Sequence, residues 1–220
     1  MGWVEFIAAF GVFFITHTVP IRPPLRPKLV QVLGPRGFSL FYSILSLSVL
    51  VWLIIAAGRA PFVEIWPYAP WQRAVPQIAM AVVCVIVALG MSQPNPLSFG
   101  GRPGVFDPDN PGIVRWVRHP ILAALALWSL AHLVPNGDLA HVILFGVFAT
   151  FALLGGRLMD RRKRRDMGDQ WQILVDQIAS TPRVPAFGTG RFLLRILIAI
   201  GLYLALILIH PFWGIDVRFF

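Results

Sequence analysis

The chain has 220 residues, of which 57% are hydrophobic and 13% are charged, and its mean hydropathy is +0.71. Soluble domains carry roughly twice that share of charged residues, so the composition excludes an ordinary soluble domain. The net charge of +9 does not indicate a nucleic-acid-binding protein, because the cations lie between apolar segments. A lipid bilayer with anionic headgroups is the expected partner.

Six apolar segments recur along the chain, and a membrane-spanning helix needs about 20 such residues. The sequence therefore predicts an all-α fold, a polytopic membrane bundle of about six transmembrane helices in one domain over residues 1–220. The predicted spans lie near residues 3–20, 37–57, 75–91, 118–134, 139–156 and 191–209. The turn-forming sequence at 135–138 predicts a tight antiparallel hairpin of the fourth and fifth spans.

Lysine and arginine are distributed unevenly between the predicted loops. One side of the membrane receives 16 of them and the other receives 3, and cytoplasmic loops carry such an excess. Both termini are therefore predicted on the non-cytoplasmic side. A basic run at 160–165 is followed by Trp171, Leu174, Val175 and Ile178 at helical spacing. This pattern predicts one cytoplasmic amphipathic helix with its apolar face on the membrane surface.

The histidines are the candidate functional residues, because ionisable groups at membrane depth are rare and usually functional. His17 lies late in the first span, His119 opens the fourth span and His132 lies late in it. We rank these three above His141 and His210, whose positions at span ends favour an interfacial structural role. His119 and His132 are separated by about 20 Å along a straight helix, so they cannot share one small site. Depth alone pairs His17 with His119.

Motifs of the common hydrolytic and nucleotide-binding enzymes do not occur in the sequence. It has no Cys-x-x-Cys, His-Glu-x-x-His, Gly-x-Ser-x-Gly or phosphate-loop pattern, so zinc hydrolysis, acyl transfer and nucleotide hydrolysis have no support. Asp160, at the head of the basic run, is explained by an ion pair with Arg164 one helical turn later.

Three ordered motifs give the chain a recognisable pattern. They are GIVRWVRHP at 112–120, LWSLAH at 127–132 and NGD at 136–138, with His17 before them and His210-Pro211 after them. In this pattern the chain resembles the NnrU family of bacterial membrane proteins, named from gene neighbourhoods of nitrite and nitric oxide reduction. The resemblance implies a multi-pass protein of the bacterial inner membrane and makes nitrogen-oxide reductases candidate partners.

The same pattern is similar to that of the plant 15-cis-ζ-carotene isomerases, integral membrane enzymes that carry haem b. This resemblance implies haem b as a cofactor, with His17 and His132 as candidate haem iron ligands. His119 is the alternative ligand, and Trp128, four residues before His132, is expected to pack against a cofactor edge. Ser129 stands where those enzymes have a cysteine, so a ligand switch through that cysteine is not available here.

A more distant resemblance is to membrane methyltransferases that act on prenylated cysteine carboxyls and phospholipids. They share the Arg118-His119-Pro120 sequence at the start of a late span, but the tyrosine and glycine that normally follow are replaced here by Ile121-Leu122-Ala123-Ala124. In this alternative, Arg118 and His119 contact the carboxylate of S-adenosylmethionine, a cofactor less favoured than haem.

Three functions therefore stay open at this point. The first is a haem-binding membrane protein with a redox or cis–trans isomerase role on a small or lipophilic substrate. The second is a methyltransferase-like enzyme that uses S-adenosylmethionine. The third is a non-catalytic membrane protein that supports nitrite or nitric oxide reductases.

Overall fold

The computed structural model describes residues 2–182 and 189–213, and this part of the chain is mostly helical, with a long irregular segment between residues 91 and 119. Its seven α-helices are α1 Gly2–Thr18, α2 Leu25–Arg59, α3 Ala74–Gly90, α4 Pro120–Leu133, α5 Leu139–Met167, α6 Asp169–Ser180 and α7 Thr189–Ile209. Short 3-10 turns lie at Pro70–Arg73, Gly112–Arg115 and His210–Trp213. The prediction of an all-α fold is confirmed.

Four helices of the described chain are long and apolar enough to cross a membrane. They are Leu25–Arg59, Pro70–Gly90, Leu139–Met167 and Gly190–Ile209. The helices α1, with 17 residues, and α4, with 14, are apolar but shorter. A membrane-protein fold is thus supported, whereas the predicted count of six spans is not. The helix α4 is short because His119, at φ −117° and ψ 73°, lies outside the helical region before Pro120.

Two helices extend well beyond their predicted spans. The helix α2 begins at Leu25 and contains a kink, where Gly34 has a φ of 70° and is followed by Pro35. The helix α5 continues through the basic run as far as Met167, because arginine and lysine are good helix formers. Apolar length alone therefore placed the second and fifth helices correctly but began the second too late and ended the fifth too early.

The chain divides into two compact units. The first comprises residues 1–67 and 137–144, and the second comprises 68–136 and 145–220. In the first unit α1 packs against α2, with Phe6 and Leu53 almost fully buried. Residue 137 lies so close to the carbonyl of Trp66 that a Cβ atom there would collide with it, which explains the glycine. The amides of Ile65 and Trp66 both donate to the carbonyl of Gly137.

In the second unit α3 packs against α4 and α7, and α6 packs against the segment that precedes α4. The predicted amphipathic helix is present, but its apolar face lies on protein rather than on lipid. Trp171 and Ile178 are 4% and 6% exposed and pack with Leu97 and Val114. The prediction of a lipid-facing apolar surface is therefore wrong, because residues 97–114 supply the surface that covers it.

Candidate functional site

The predicted site residues are divided between the two units. His17 lies in the first unit, whereas Arg118, His119, Trp128 and His132 lie in the second. Within the second unit the structure brings them together as two pairs, Trp128 with His132 on α4 and Arg118 with His119 just before α4. Each pair also contacts residues that are distant from it in the sequence.

His17 occupies the last turn of α1, and its ring is held by its own helix. Nδ1 lies 2.8 Å from the carbonyl oxygen of Phe13, and because a carbonyl only accepts, Nδ1–H is the donor. The ring stacks on Phe13 at a centroid distance of 3.9 Å and meets the edge of Tyr42 at 6.0 Å. The nitrogen with the lone pair is therefore Nε2.

His132 has the same local arrangement on α4. Its Nδ1–H donates to the carbonyl of Trp128 at 2.8 Å, so its lone pair is also on Nε2. The ring centroids of Trp128 and Phe145 lie 5.4 and 5.5 Å from that of His132. Phe148 meets Trp128 edge-on at 5.8 Å, and Phe145 and Phe148, which both lie on α5, are buried. Aromatic side chains thus surround one side of the imidazole.

His210, which ranks below His132 on sequence grounds, lies beside it in the structure. Its ring centroid lies 6.4 Å from that of His132, and the two ring planes are 25° apart. Its Nδ1–H donates to the carbonyl of Leu206 at 2.7 Å, as in the other two histidines. No signal in the sequence links two histidines on α4 and at the end of α7. We call His132, His210, Trp128, Phe145 and Phe148 the aromatic histidine cluster.

Arg118 and His119 form a second cluster with Asp160 of α5. Arg118 Nη1 donates to Asp160 Oδ2 at 2.7 Å, and His119 Nε2–H donates to Asp160 Oδ1 at 3.1 Å. The side-chain amide of Asn95, through Nδ2, donates to the carbonyl of Arg118 at 2.9 Å and fixes the backbone at that residue. Gly156, one turn before Asp160, gives the imidazole room, because a Cβ atom there would lie 3.3 Å from His119 Cδ2. We call Arg118, His119 and Asp160 the carboxylate cluster.

One of the two ring nitrogens of His119 makes no hydrogen bond to any described residue. Its side chain is 13% exposed, and Nδ1 is buried without a hydrogen-bond partner among the described residues. Burial lowers the pKa of His119 more than the charge and the hydrogen bond of Asp160 raise it. The neutral ring therefore predominates at pH 7 and presents a buried lone pair on Nδ1.

Asp160 has different partners from the one predicted. It accepts hydrogen bonds from Arg118 and His119, whereas the guanidinium of Arg164 lies 4.4 Å from the ring centre of Trp171. The guanidinium of Arg118 lies 5.3 Å from the same ring. The predicted Asp160–Arg164 pair is thus wrong, because the Asp160 carboxylate pairs instead with Arg118 and His119, which lie 42 and 41 positions earlier in the chain.

Metal ligands are sparse in the part of the chain that the structure describes. There, no group of three or more His, Cys, Asp or Glu side chains could hold a metal ion. The histidines could instead serve as one or two ligands to a metal that brings its own ring of donors, as haem iron does.

Comparison with known proteins gives a family for the chain. Residues 5–217 match the family model described as NnrU protein. The chain belongs to the NnrU family. No curated protein and no solved structure matches it. The family match includes both compact units, the aromatic histidine cluster and the carboxylate cluster.

Proposed function

We propose that this NnrU protein binds haem b through His132 and uses it in a redox or cis–trans isomerase reaction of a small or lipophilic substrate. One observation carries the proposal, the fixed imidazole of His132. Its Nδ1–H is held by the Trp128 carbonyl, which leaves Nε2 as the ligating nitrogen among aromatic side chains.

The residues around His132 fit this cofactor. Metal-ligating histidines usually donate their second ring N–H to a carbonyl or a carboxylate, and His132 does so. The porphyrin supplies four iron ligands, so one or two imidazoles complete the coordination. Trp128, Phe145 and Phe148 give the imidazole an apolar environment, and the two phenylalanines are buried. When bound, haem supplies one-electron chemistry and reversible ligand binding.

Two histidines are candidates for a second ligand beside His132. The resemblance to the isomerases favours His17, whereas His119 is too far from His132 along α4 to share its site. The structure adds His210, because its ring lies beside that of His132 in the same unit and would be within reach of a haem held there. The centroids of His132 and His210 are separated by 6.4 Å.

Absorption spectroscopy tests the proposal. The full chain is purified in detergent from cells supplied with a haem precursor, and spectra are recorded before and after dithionite. We expect a Soret band at about one haem per chain in the wild type, and its loss in His132→Ala. His141→Ala is the matched control, since that ring pairs with Asp138 at 2.7 Å in the first unit.

The variants His17→Ala and His210→Ala identify the second ligand, and His119→Ala should keep the wild-type spectrum. The variant that lacks the second iron ligand should keep haem, and its absorption spectrum should change from low-spin to high-spin. A wild-type protein without a Soret band, or a His132→Ala protein with an unchanged one, would contradict the proposal.

The proposal extends to membrane topology and cellular role. We infer six spans, with α1 and α4 included, in a bacterial inner membrane with both termini on the non-cytoplasmic side. The asymmetry of 16 against 3 basic residues supports this arrangement. A role beside nitrogen-oxide reductases is supported by the family name alone. Accessibility of single cysteines placed in the loops of a Cys84→Ser chain tests the topology, and labelling of both termini from the cytoplasmic side would contradict it.

A further inference from the structure

A cleft of about 150 Å³ lies beside the carboxylate cluster, between residues 114–118 and α6. Both walls belong to the second unit. The side chains that matter for its chemistry are Arg115, Trp116, Arg118, Val175, Ile178 and Ala179. Two guanidinium groups therefore face an apolar helix surface across a small opening.

Both arginines are held in place by other contacts. Arg115 Nε donates to the carbonyl of Thr181 at 3.0 Å, and its two terminal nitrogens make no hydrogen bond to any other described residue. Arg118 uses Nη1 for Asp160, and its guanidinium lies over Trp171. Donors fixed in this way lose little conformational entropy when they bind a ligand.

The charge of the cleft selects an anion. Asp160 neutralises one guanidinium, but the partner of Arg115 is a backbone carbonyl rather than a carboxylate. Among the residues that the structure describes, Arg115 therefore carries a positive charge without a carboxylate partner at the cleft, and Arg164 adds another positive charge beside Trp171. Guanidinium forks match the oxygens of phosphate in geometry as well as in charge.

The size of the cleft selects a small group. Sites for drug-sized ligands and cofactors have volumes of roughly 300–1,000 Å³, well above the 150 Å³ found here. A phosphate group fits this volume. The apolar side chains of Val175, Ile178 and Ala179, with Trp116 62% exposed at the edge, could additionally contact the start of a lipid chain.

We propose that this cleft binds a phosphate group, either as free phosphate or as the headgroup of an anionic lipid. Arg115 and Arg118 bind its oxygens, and the α6 surface closes the opposite side. The proposal is independent of haem binding, since it uses none of the residues of the aromatic histidine cluster.

Calorimetry on the delipidated full chain in a neutral detergent tests the site with two probes, inorganic phosphate and dihexanoyl phosphatidic acid. Arg115→Gln removes one fork, and Ala179→Leu fills the cleft while it keeps every charge. We expect each variant to weaken binding about tenfold, because charge-assisted hydrogen bonds are the strong ones. Arg161→Gln removes the same charge from the exposed basic run and should leave the affinity nearly unchanged.

The two probes distinguish the sources of the phosphate. Equal affinities indicate that the phosphate group alone is recognised, and much tighter binding of phosphatidic acid indicates a lipid headgroup. If Arg115→Gln unfolds, Ala179→Leu still decides the question. The proposal is overturned if neither probe binds, or if Ala179→Leu binds like the wild type while Arg115→Gln and Arg161→Gln lose affinity equally, since attraction is then a diffuse effect of charge.

Discussion

The aromatic histidine cluster and the carboxylate cluster hold their imidazoles by opposite means. His132 is held through Nδ1 by a carbonyl of its own helix, whereas His119 is held through Nε2 by a carboxylate 41 residues away. The first arrangement is local and leaves Nε2 to ligate. The second depends on tertiary packing and leaves Nδ1. The orientation of His132 should therefore survive changes that disrupt His119.

The largest expected effect on this comparison comes from Trp171, which packs under Arg118 and is 4% exposed. Trp171→Ala should lower the free energy of unfolding by about 3–5 kcal/mol, because it removes a large buried aromatic side chain. Chemical denaturation in detergent measures this. Trp116→Ala, at a residue that is 62% exposed, should change it by less than about 0.5 kcal/mol. Equal losses in the two variants would contradict the packing of α6 described above.

Asp160→Asn should have the next largest effect. It removes the charge that Arg118 and His119 share, and we expect a loss of about 1–2 kcal/mol in the free energy of unfolding. The effect is smaller than for a fully buried pair, because the Arg118 side chain is 36% exposed. Asp166→Asn, which breaks an exposed pair with Arg162, is the matched control. A control variant as unstable as Asp160→Asn would remove the special role of Asp160.

Gly156→Ala tests the space reserved for the His119 ring. Alanine in a helix is favoured over glycine by up to about 1 kcal/mol, but here its Cβ would lie 3.3 Å from His119 Cδ2. We therefore expect the gain to be offset in the wild type and recovered in a His119→Ala background. A double-mutant cycle measures the difference. The same gain in both backgrounds would show that Gly156 and His119 are uncoupled.

The smallest expected effect is on pH dependence. Burial lowers the pKa of His119 in the folded protein, so the unfolded chain binds this proton more tightly. Stability should fall as the pH drops below about 6.5, the ordinary histidine value, and His119→Gln should lack this part of the loss. Unfolding curves of both proteins across that range measure it. If the wild type instead gains stability relative to the variant at low pH, attraction to Asp160 outweighs burial.

Much of the fold could be predicted from local sequence, because apolar length and helix breakers act locally. The breakers at 135–138 end α4 close to the predicted position, although its predicted start lies two residues before Pro120. The i,i+4 spacing placed Trp128 and His132 on one helix face, where their rings meet. The extension of α5 was missed because charged residues end a hydropathy window without ending a helix.

The tertiary partners could not be predicted in the same way. Asp160 meets Arg118 and His119 across more than 40 residues, and a nearer arginine offered a simpler explanation. The proximity of His132 and His210 depends on how α4 and α7 pack, which no spacing encodes. The apolar face of α6 suits lipid and protein equally, and only the path of residues 97–114 decides between them.

The most direct test of the central claim is rescue of a His132→Gly protein by free imidazole. If His132 ligates haem iron through Nε2, the variant should lose the wild-type low-spin Soret spectrum, and added imidazole should restore it. His141→Gly should show the wild-type spectrum throughout. Identical haem content and spectra in the wild type and His132→Gly, with no response to imidazole, would contradict the account.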